Sequence, residues 1–230
     1  MRNQTRNGAR LPRGENVSLQ STSKRSGASR RWLTRQLNDP YVAGAKAQGW
    51  RSRAAFKLME LDDRFRLIRA GARVVDLGAA PGGWTQVALQ RGAERVVAVD
   101  LLPIDALTGA VVVRGDFTDP TVAQEVRAAL DRGADLVVSD MAPNTTGHAA
   151  TDHLRIMALA EAALDFALET LTPGGAFVAK VLQGGSEGTM LTRLKRAFRT
   201  VRHAKPPASR KESRELFVVA TGFRGREQTI

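Results

Sequence analysis

Asp76, Asp100, Asp116, Asp140 and Lys180 each fall within, at the end of, or just past a short apolar run. The runs are 74–77, 95–100, 110–114, 135–139 and 176–181. If these are strands of one parallel sheet, the five groups gather at one edge, where such sheets bind ligands. A carboxylate closing the second strand suits a ribose diol. One just past the third could accept from an adenine amino group. Any single Asp here is more simply the cap of the following helix. Four acids and a lysine along one edge are hard to account for as solvated surface, and together they favour a site.

The first run leads into Gly78-Ala79-Ala80-Pro81-Gly82-Gly83-Trp84 and then a helix opening at Thr85. Glycine tolerates positive φ and leaves room for a ligand against the backbone. A helix start also aims free N–H groups at what is bound. The spacing is not G-x-G-x-x-G, which argues against a nucleotide-linked oxidoreductase. Pro81 stiffens the turn and removes a donor. An ordinary tight connection is the bland alternative; the glycine density favours a pocket for an adenosyl cofactor.

The elements that must position these groups alternate along the chain. A helix is expected over 52–68, with Ser52 as N-cap and Ala55, Leu58, Leu61, Phe65 and Ile68 on its apolar face. Lys57 lies at the edge of that face, where a lone lysine is normally solvated. Further helices are expected at 85–90, 121–130, 152–171 and 189–198, with last strands at 200–203 and 215–221. Strands separated by helix-length segments imply right-handed βαβ units, hence an α/β fold with helices on both faces of a parallel sheet. Runs such as Val96-Val97-Ala98-Val99 suit strands covered on both sides. The segment 31–50 carries Trp32, Tyr41 and Trp50 among basic residues, with a turn at Asn38-Asp39-Pro40. Those aromatics could stack on exposed bases or pin the segment to the core.

The net charge is +12, so a polyanion is the expected partner and nucleic acid the first suspect. Residues 1–30 are poor in apolar side chains and read as a disordered basic tail ahead of one folded domain over 31–230. Up to Arg35 there are nine Lys and Arg against Glu15 alone, which suits an arm that neutralises phosphates or only aids solubility. No run of about eighteen apolar residues exists and no apolar leader opens the chain, so no membrane association is expected. There is no cysteine, which removes disulfides and fits a reducing, cytoplasmic compartment. With His148, His153 and His203 as the only histidines, no metal site is expected.

Several blocks in order resemble the FtsJ-type family of 2'-O-ribose RNA methyltransferases. They are Arg51-Ser52-Arg53-Ala54-Ala55-Phe56-Lys57-Leu58, the loop Val74 to Trp84, Val99-Asp100-Leu101-Leu102-Pro103, Gly115-Asp116-Phe117, Ser139-Asp140-Met141-Ala142-Pro143-Asn144, Lys180-Val181-Leu182-Gln183-Gly184 and Ser213-Arg214-Glu215. The likeness runs from about Ser29 to Gly222 and leaves the basic extension outside it. It implies a Rossmann-like class I methyltransferase fold with an antiparallel last strand. It also implies a Lys57, Asp140, Lys180 and Glu215 tetrad and S-adenosylmethionine as methyl donor. Gly82, Trp84, Asp100, Asp116 and Asp140 would hold that donor. The implied substrate is a uridine 2'-hydroxyl of 23S ribosomal RNA in the large subunit, acted on by a monomer.

A ribose hydroxyl is a weak nucleophile and needs a proton acceptor. Lys180 could serve if its amine is neutral, which burial and the nearby Lys57 would favour and the two carboxylates oppose. Alternatively Lys180 stays charged and alignment does most of the work. Transfer RNA or another structured RNA is the alternative substrate. A non-enzymatic RNA-binding assembly factor is the alternative function, though such a protein would be expected to lose a tetrad member.

Overall fold

The computed structural model describes residues 33–34, 36–143, 146–183 and 187–225. The basic stretch 1–30, Trp32, Asn144 and Gly184 lie outside these residues. Along the described chain run α1 (Pro40–Ala47), α2 (Ala55–Phe65), β1 (Arg73–Leu77), α3 (Gly83–Gln90), β2 (Arg95–Asp100) and β3 (Ala110–Arg114). Then come α4 (Pro120–Leu130), β4 (Ala134–Ser139), α5 (Ala149–Thr170), β5 (Leu171–Leu182), α6 (Glu187–Ala197), β6 (Phe198–Ala204) and β7 (Glu215–Phe223).

The strands form a single sheet in the order β3-β2-β1-β4-β5-β7-β6. β1 to β5 are parallel neighbours, while β7 runs antiparallel between β5 and β6. The α/β fold with a mostly parallel sheet and an antiparallel last strand is therefore as expected. Period-two alternation splits the apolar runs between two core layers. Val75, Leu77, Val97, Val137, Phe177 and Val218 face α4, α5 and α6. Val74, Val96, Leu136, Val138, Val178 and Val219 face α2 and α3. Both faces being covered explains why these strands read as continuous apolar stretches.

Near the N-terminal side one expectation is extended and one corrected. Asn38-Asp39-Pro40 does not merely turn the chain: it starts α1, with the Asp39 side chain accepting from Tyr41 N–H and Pro40 in the first turn. Asp followed by Pro is itself a helix-start signature, because Pro there forfeits only an unneeded donor. The expected helix over 52–68 is shorter. Ser52 does not cap it; Ala54 precedes the first turn with no side-chain cap. It ends at Phe65 because Arg66 adopts left-handed backbone angles (φ 54°, ψ 53°), and Ile68 N–H is taken by the Asp62 carboxylate at 2.8 Å.

Tyr41 stacks edge-on against Phe56 and donates to Glu60, so it pins α1 to α2. No helix among the described residues is long and apolar enough to cross a membrane.

Candidate active site

The strand order reverses between β1 and β4, and the crevice beyond the carboxyl ends of that pair is where an open α/β sheet binds its ligand. The glycine loop leaves β1 here, and Asp140 follows β4 directly. Lys180 sits near the carboxyl end of β5. Because β7 is antiparallel, its first residue, Glu215, reaches the same edge, in register with Leu182. Lys57 lies in the first turn of α2, which packs over this end of the sheet.

These placements bring four side chains together. Lys57 Nζ lies 3.1 Å from Asp140 Oδ2 and 2.8 Å from Glu215 Oε1. Lys180 Nζ lies 3.2 Å from Asp140 Oδ1 and donates to the Asp140 backbone carbonyl at 2.7 Å. Both lysines are buried, at 7% and 8% exposure, so Lys57 is not the solvated side chain that its position at the edge of a helix face suggested. Burial on its own pulls the Lys57 ammonium down. Attraction to Asp140 and Glu215, with their hydrogen bonds, more than offsets it and holds Lys57 above its ordinary 10.5. Lys57 is therefore the resident cation of the cluster. Two residues that the sequence did not single out complete it. Ser209 donates to Glu215 at 2.7 Å, and the Phe217 ring lies 5.5 Å below the Lys57 ammonium.

The loop after β1 turns on a glycine held at a backbone angle that side chains rarely adopt. Gly82 has φ +108°, and a Cβ there would come 2.9 Å from Arg51 Nη1 and 3.0 Å from Leu107. Arg51 spans the crevice mouth, donating to the carbonyls of Pro81, Asp105 and Ala106 at 3.2, 2.7 and 2.9 Å. It sits within a motif block, yet nothing in its spacing marks it as the tie between two loops. Asp100 accepts from Ala80 N–H and Leu102 N–H, both at about 2.9 Å or less, and each oxygen keeps a second lone pair for a ligand. Leu101 and Leu102 beside it leave about two thirds of their surface exposed, at 65% and 64%. Asp116 accepts from Thr118 N–H at 2.9 Å in a local turn and is exposed.

Trp84 is placed otherwise than a ligand-stacking ring would be. Its indole is buried at 3% exposure, donates to the Ala54 carbonyl at 2.7 Å and packs on Phe217. What Trp84 can offer a ligand is its backbone N–H in the first turn of α3, which has no intrahelical acceptor. The small-residue loop, two carboxylates and exposed apolar side chains fit an adenosyl group with a ribose diol.

Asp76 does not join the cluster. It is 2% exposed and accepts from Thr85 Oγ1 at 2.7 Å, tying β1 to α3 beneath the loop. Burial, opposed by the Thr85 hydrogen bonds and aided by Asp140 and Asp100, pushes its carboxyl up to about 7. The unfolded chain ionises this group near 3.8, while the fold retains its proton to about 7. Its stabilising contribution is thus complete below about pH 4 and is lost as pH rises through about 7. Asp76→Asn removes that dependence. In urea unfolding at pH 5 and pH 8, stability of the variant relative to wild type should improve at pH 8 by a few kcal/mol, at about 1.4 kcal/mol per unit. Equal differences at both pH values contradict the assignment.

The FtsJ-like methyltransferase family profile matches residues 50–223. The chain is 64% identical over 216 residues to Ribosomal RNA large subunit methyltransferase E of Gluconobacter oxydans, covering 94% of this chain and 81% of that one. It is 67% identical over 213 residues to the protein of the same name in Granulibacter bethesdensis, covering 93% of each. Among solved structures, a provisionally assigned ribosomal RNA methyltransferase from Plasmodium falciparum superposes with TM-score 0.69 at 28% identity, covering 77% of this chain and all of that one.

Proposed function

The chain belongs to the FtsJ-like methyltransferase family, and on that premise we propose that it methylates a ribose 2'-hydroxyl, that of a uridine, in 23S ribosomal RNA of the large subunit. The relatives' names support the RNA class. The observation that carries the chemistry is the division of labour between two buried amines: Lys57 meets two carboxylates, whereas Lys180 meets one.

S-adenosylmethionine, when bound, supplies a methyl on a sulfonium, an electrophile that needs no metal to activate it. Gly82, the first-turn N–H groups of α3, Asp100 and Asp116 would hold it. Lys180 accepts the hydroxyl proton as the ribose oxygen takes the methyl. Asp140 fixes the Lys180 amine through its carboxylate and its backbone carbonyl. Lys57, kept charged by Asp140 and Glu215, balances their negative charge and fixes both carboxylates beside Lys180. Ser209 fixes Glu215 in turn. A single domain over 31–230 acting as a monomer, with the basic segment before it as an auxiliary phosphate-binding arm, completes the proposal.

Gly82→Ala tests the cradle. A side chain at φ +108° is strained by about 1–2 kcal/mol and displaces Arg51. Calorimetric titration should show S-adenosylmethionine affinity falling at least tenfold, roughly that strain. Wild-type affinity would place the cofactor elsewhere. For the function itself, 2'-O-methyl mapping of large-subunit rRNA from cells lacking the protein should show one uridine unmodified. Loss at a transfer RNA nucleotide, with rRNA unchanged, would give the substrate to that class instead.

A further inference from the structure

The opposite edge of the sheet carries a second basic site. There, an open cavity of about 950 Å³ is lined by Arg66, Arg69, Arg132 and Arg199, with Gly71, Gly174 and Gly222 forming part of its wall. It lies at the amino ends of β1, β4 and β5, whereas the tetrad lies at their carboxyl ends. Asp135 lies near the start of β4 and Asp140 just past its end, so five residue steps of about 3.3 Å, roughly 17 Å, separate the two sites.

The cations of this wall are not consumed by the fold. Its carboxylates are already engaged: Asp62 accepts from Ile68 N–H at 2.8 Å and faces Arg91 at 3.5 Å, and Asp135 accepts from Arg73 N–H at 2.9 Å. Among the described residues Arg132 reaches only Glu94, at 3.9 Å and in solvent. The exposed guanidinium groups of Arg66, Arg69 and Arg199 form no ion pair among the described residues.

Two backbone features hold arginines here at a cost. Arg66 occupies the left-handed position after α2 that glycine normally takes. Across the cavity, Gly222 at φ +73° lets the Arg199 stem lie against the strand; a Cβ there would sit 3.1 Å from Arg199 Cβ and Cδ. All four basic side chains of the wall are arginine, the residue whose planar fork matches a phosphate with two hydrogen bonds.

We infer that this cavity grips a phosphodiester of the RNA substrate at a second point, on an arm of the RNA other than the one that carries the target ribose. The inference rests on the RNA reading above. The two sites open at opposite ends of the strands, so a short hairpin seated at the tetrad points its stem away from this cavity, and a second arm is the simpler occupant.

The test is the triple variant Arg66→Gln, Arg69→Gln, Arg199→Gln, titrated against large-subunit rRNA and against a short hairpin bearing the target nucleotide, across a range of KCl. With rRNA, the slope of log K against log salt should shrink by about 2–3, and affinity near 0.1 M salt should fall at least tenfold. Hairpin binding, cofactor affinity and thermal midpoint should match wild type. Arg→Lys replacements at the three positions should restore the slope. Arg66→Gly alone should raise the thermal midpoint by about 2–4 °C while losing about one unit of slope.

An unchanged rRNA slope overturns the inference. So does an equal loss on the short hairpin, which would mean a diffuse field, or a loss confined to an acidic polypeptide such as polyglutamate. Wild-type methyl transfer to the same rRNA is scored separately. Its absence counts against the proposed function, while intact transfer with an unchanged slope counts against this site alone.

Discussion

Lys180→Met should slow single-turnover methyl transfer by about 10²–10⁴-fold, the range that a positioned proton acceptor supplies. Methionine fills similar space and removes the amine, so affinity for S-adenosylmethionine should stay within a few-fold of wild type. Lys180→Arg separates the two roles that the residue could play. A guanidinium keeps the charge and the donors but cannot take up a proton. If Lys180 is the acceptor, the arginine variant is as slow as the methionine one. If it only orients the hydroxyl, the arginine variant retains most of the rate. A pH–rate profile by quenched flow adds a second readout: the wild-type and methionine-variant profiles should differ, and identical profiles would contradict the acceptor role.

Lys57→Met should destabilise the fold by about 3–5 kcal/mol at neutral pH, because it takes from the half-buried Glu215 carboxylate the one ion-pair partner it has among the described residues and leaves Asp140 with Lys180 alone. The pH dependence has a definite sign. In wild type the contribution of Lys57, whose folded value lies above 10.5, is complete below that pH and is lost only as pH rises beyond it. In the variant, protonating the carboxylate left without its cation relieves the penalty. The deficit seen by urea unfolding should therefore shrink as pH falls from 7 to 4. A Lys57→Met protein as stable as wild type at pH 7 would show that the pair is solvated and does not organise the site. Transfer should also fall by at least tenfold, since Asp140 and Glu215 lose the cation that holds them in place around Lys180.

The sheet was legible because its strands are apolar on both faces. Arg95–Asp100 and Ala110–Arg114 begin and end where the runs do. Other ends moved by a residue or a few, since caps rather than apolar pattern set them; α3 starts at Gly83 because Gly82 takes the positive φ that breaks the chain into it. The chemistry was legible unevenly. Asp100, Asp116, Asp140 and Lys180 could be found from strand ends alone. Lys57 and Glu215 could not, and entered only through the family resemblance. A helical lysine beside an apolar stripe looks solvated until another element covers it. An acid at the start of a strand looks wrong-sided until that strand proves antiparallel. Asp76 passed the strand-end criterion for a local reason: it faces Thr85, and burial, not a ligand, is what acts on it. Trp84 carried the motif but spends its ring on the core. Arg51, Ser209 and Arg66 had no periodicity to betray them, because their roles depend on loops meeting across long stretches of sequence.

The central claim is that two lysines and two carboxylates deliver a methyl group to a ribose oxygen. It is tested most directly by incubating the purified protein with methyl-labelled S-adenosylmethionine and large-subunit rRNA, then digesting the RNA to nucleosides. The account predicts label in a 2'-O-methyluridine, at one site, and abolished by Lys180→Met. Label on a base, or none above background with either free rRNA or the assembled subunit, would contradict it.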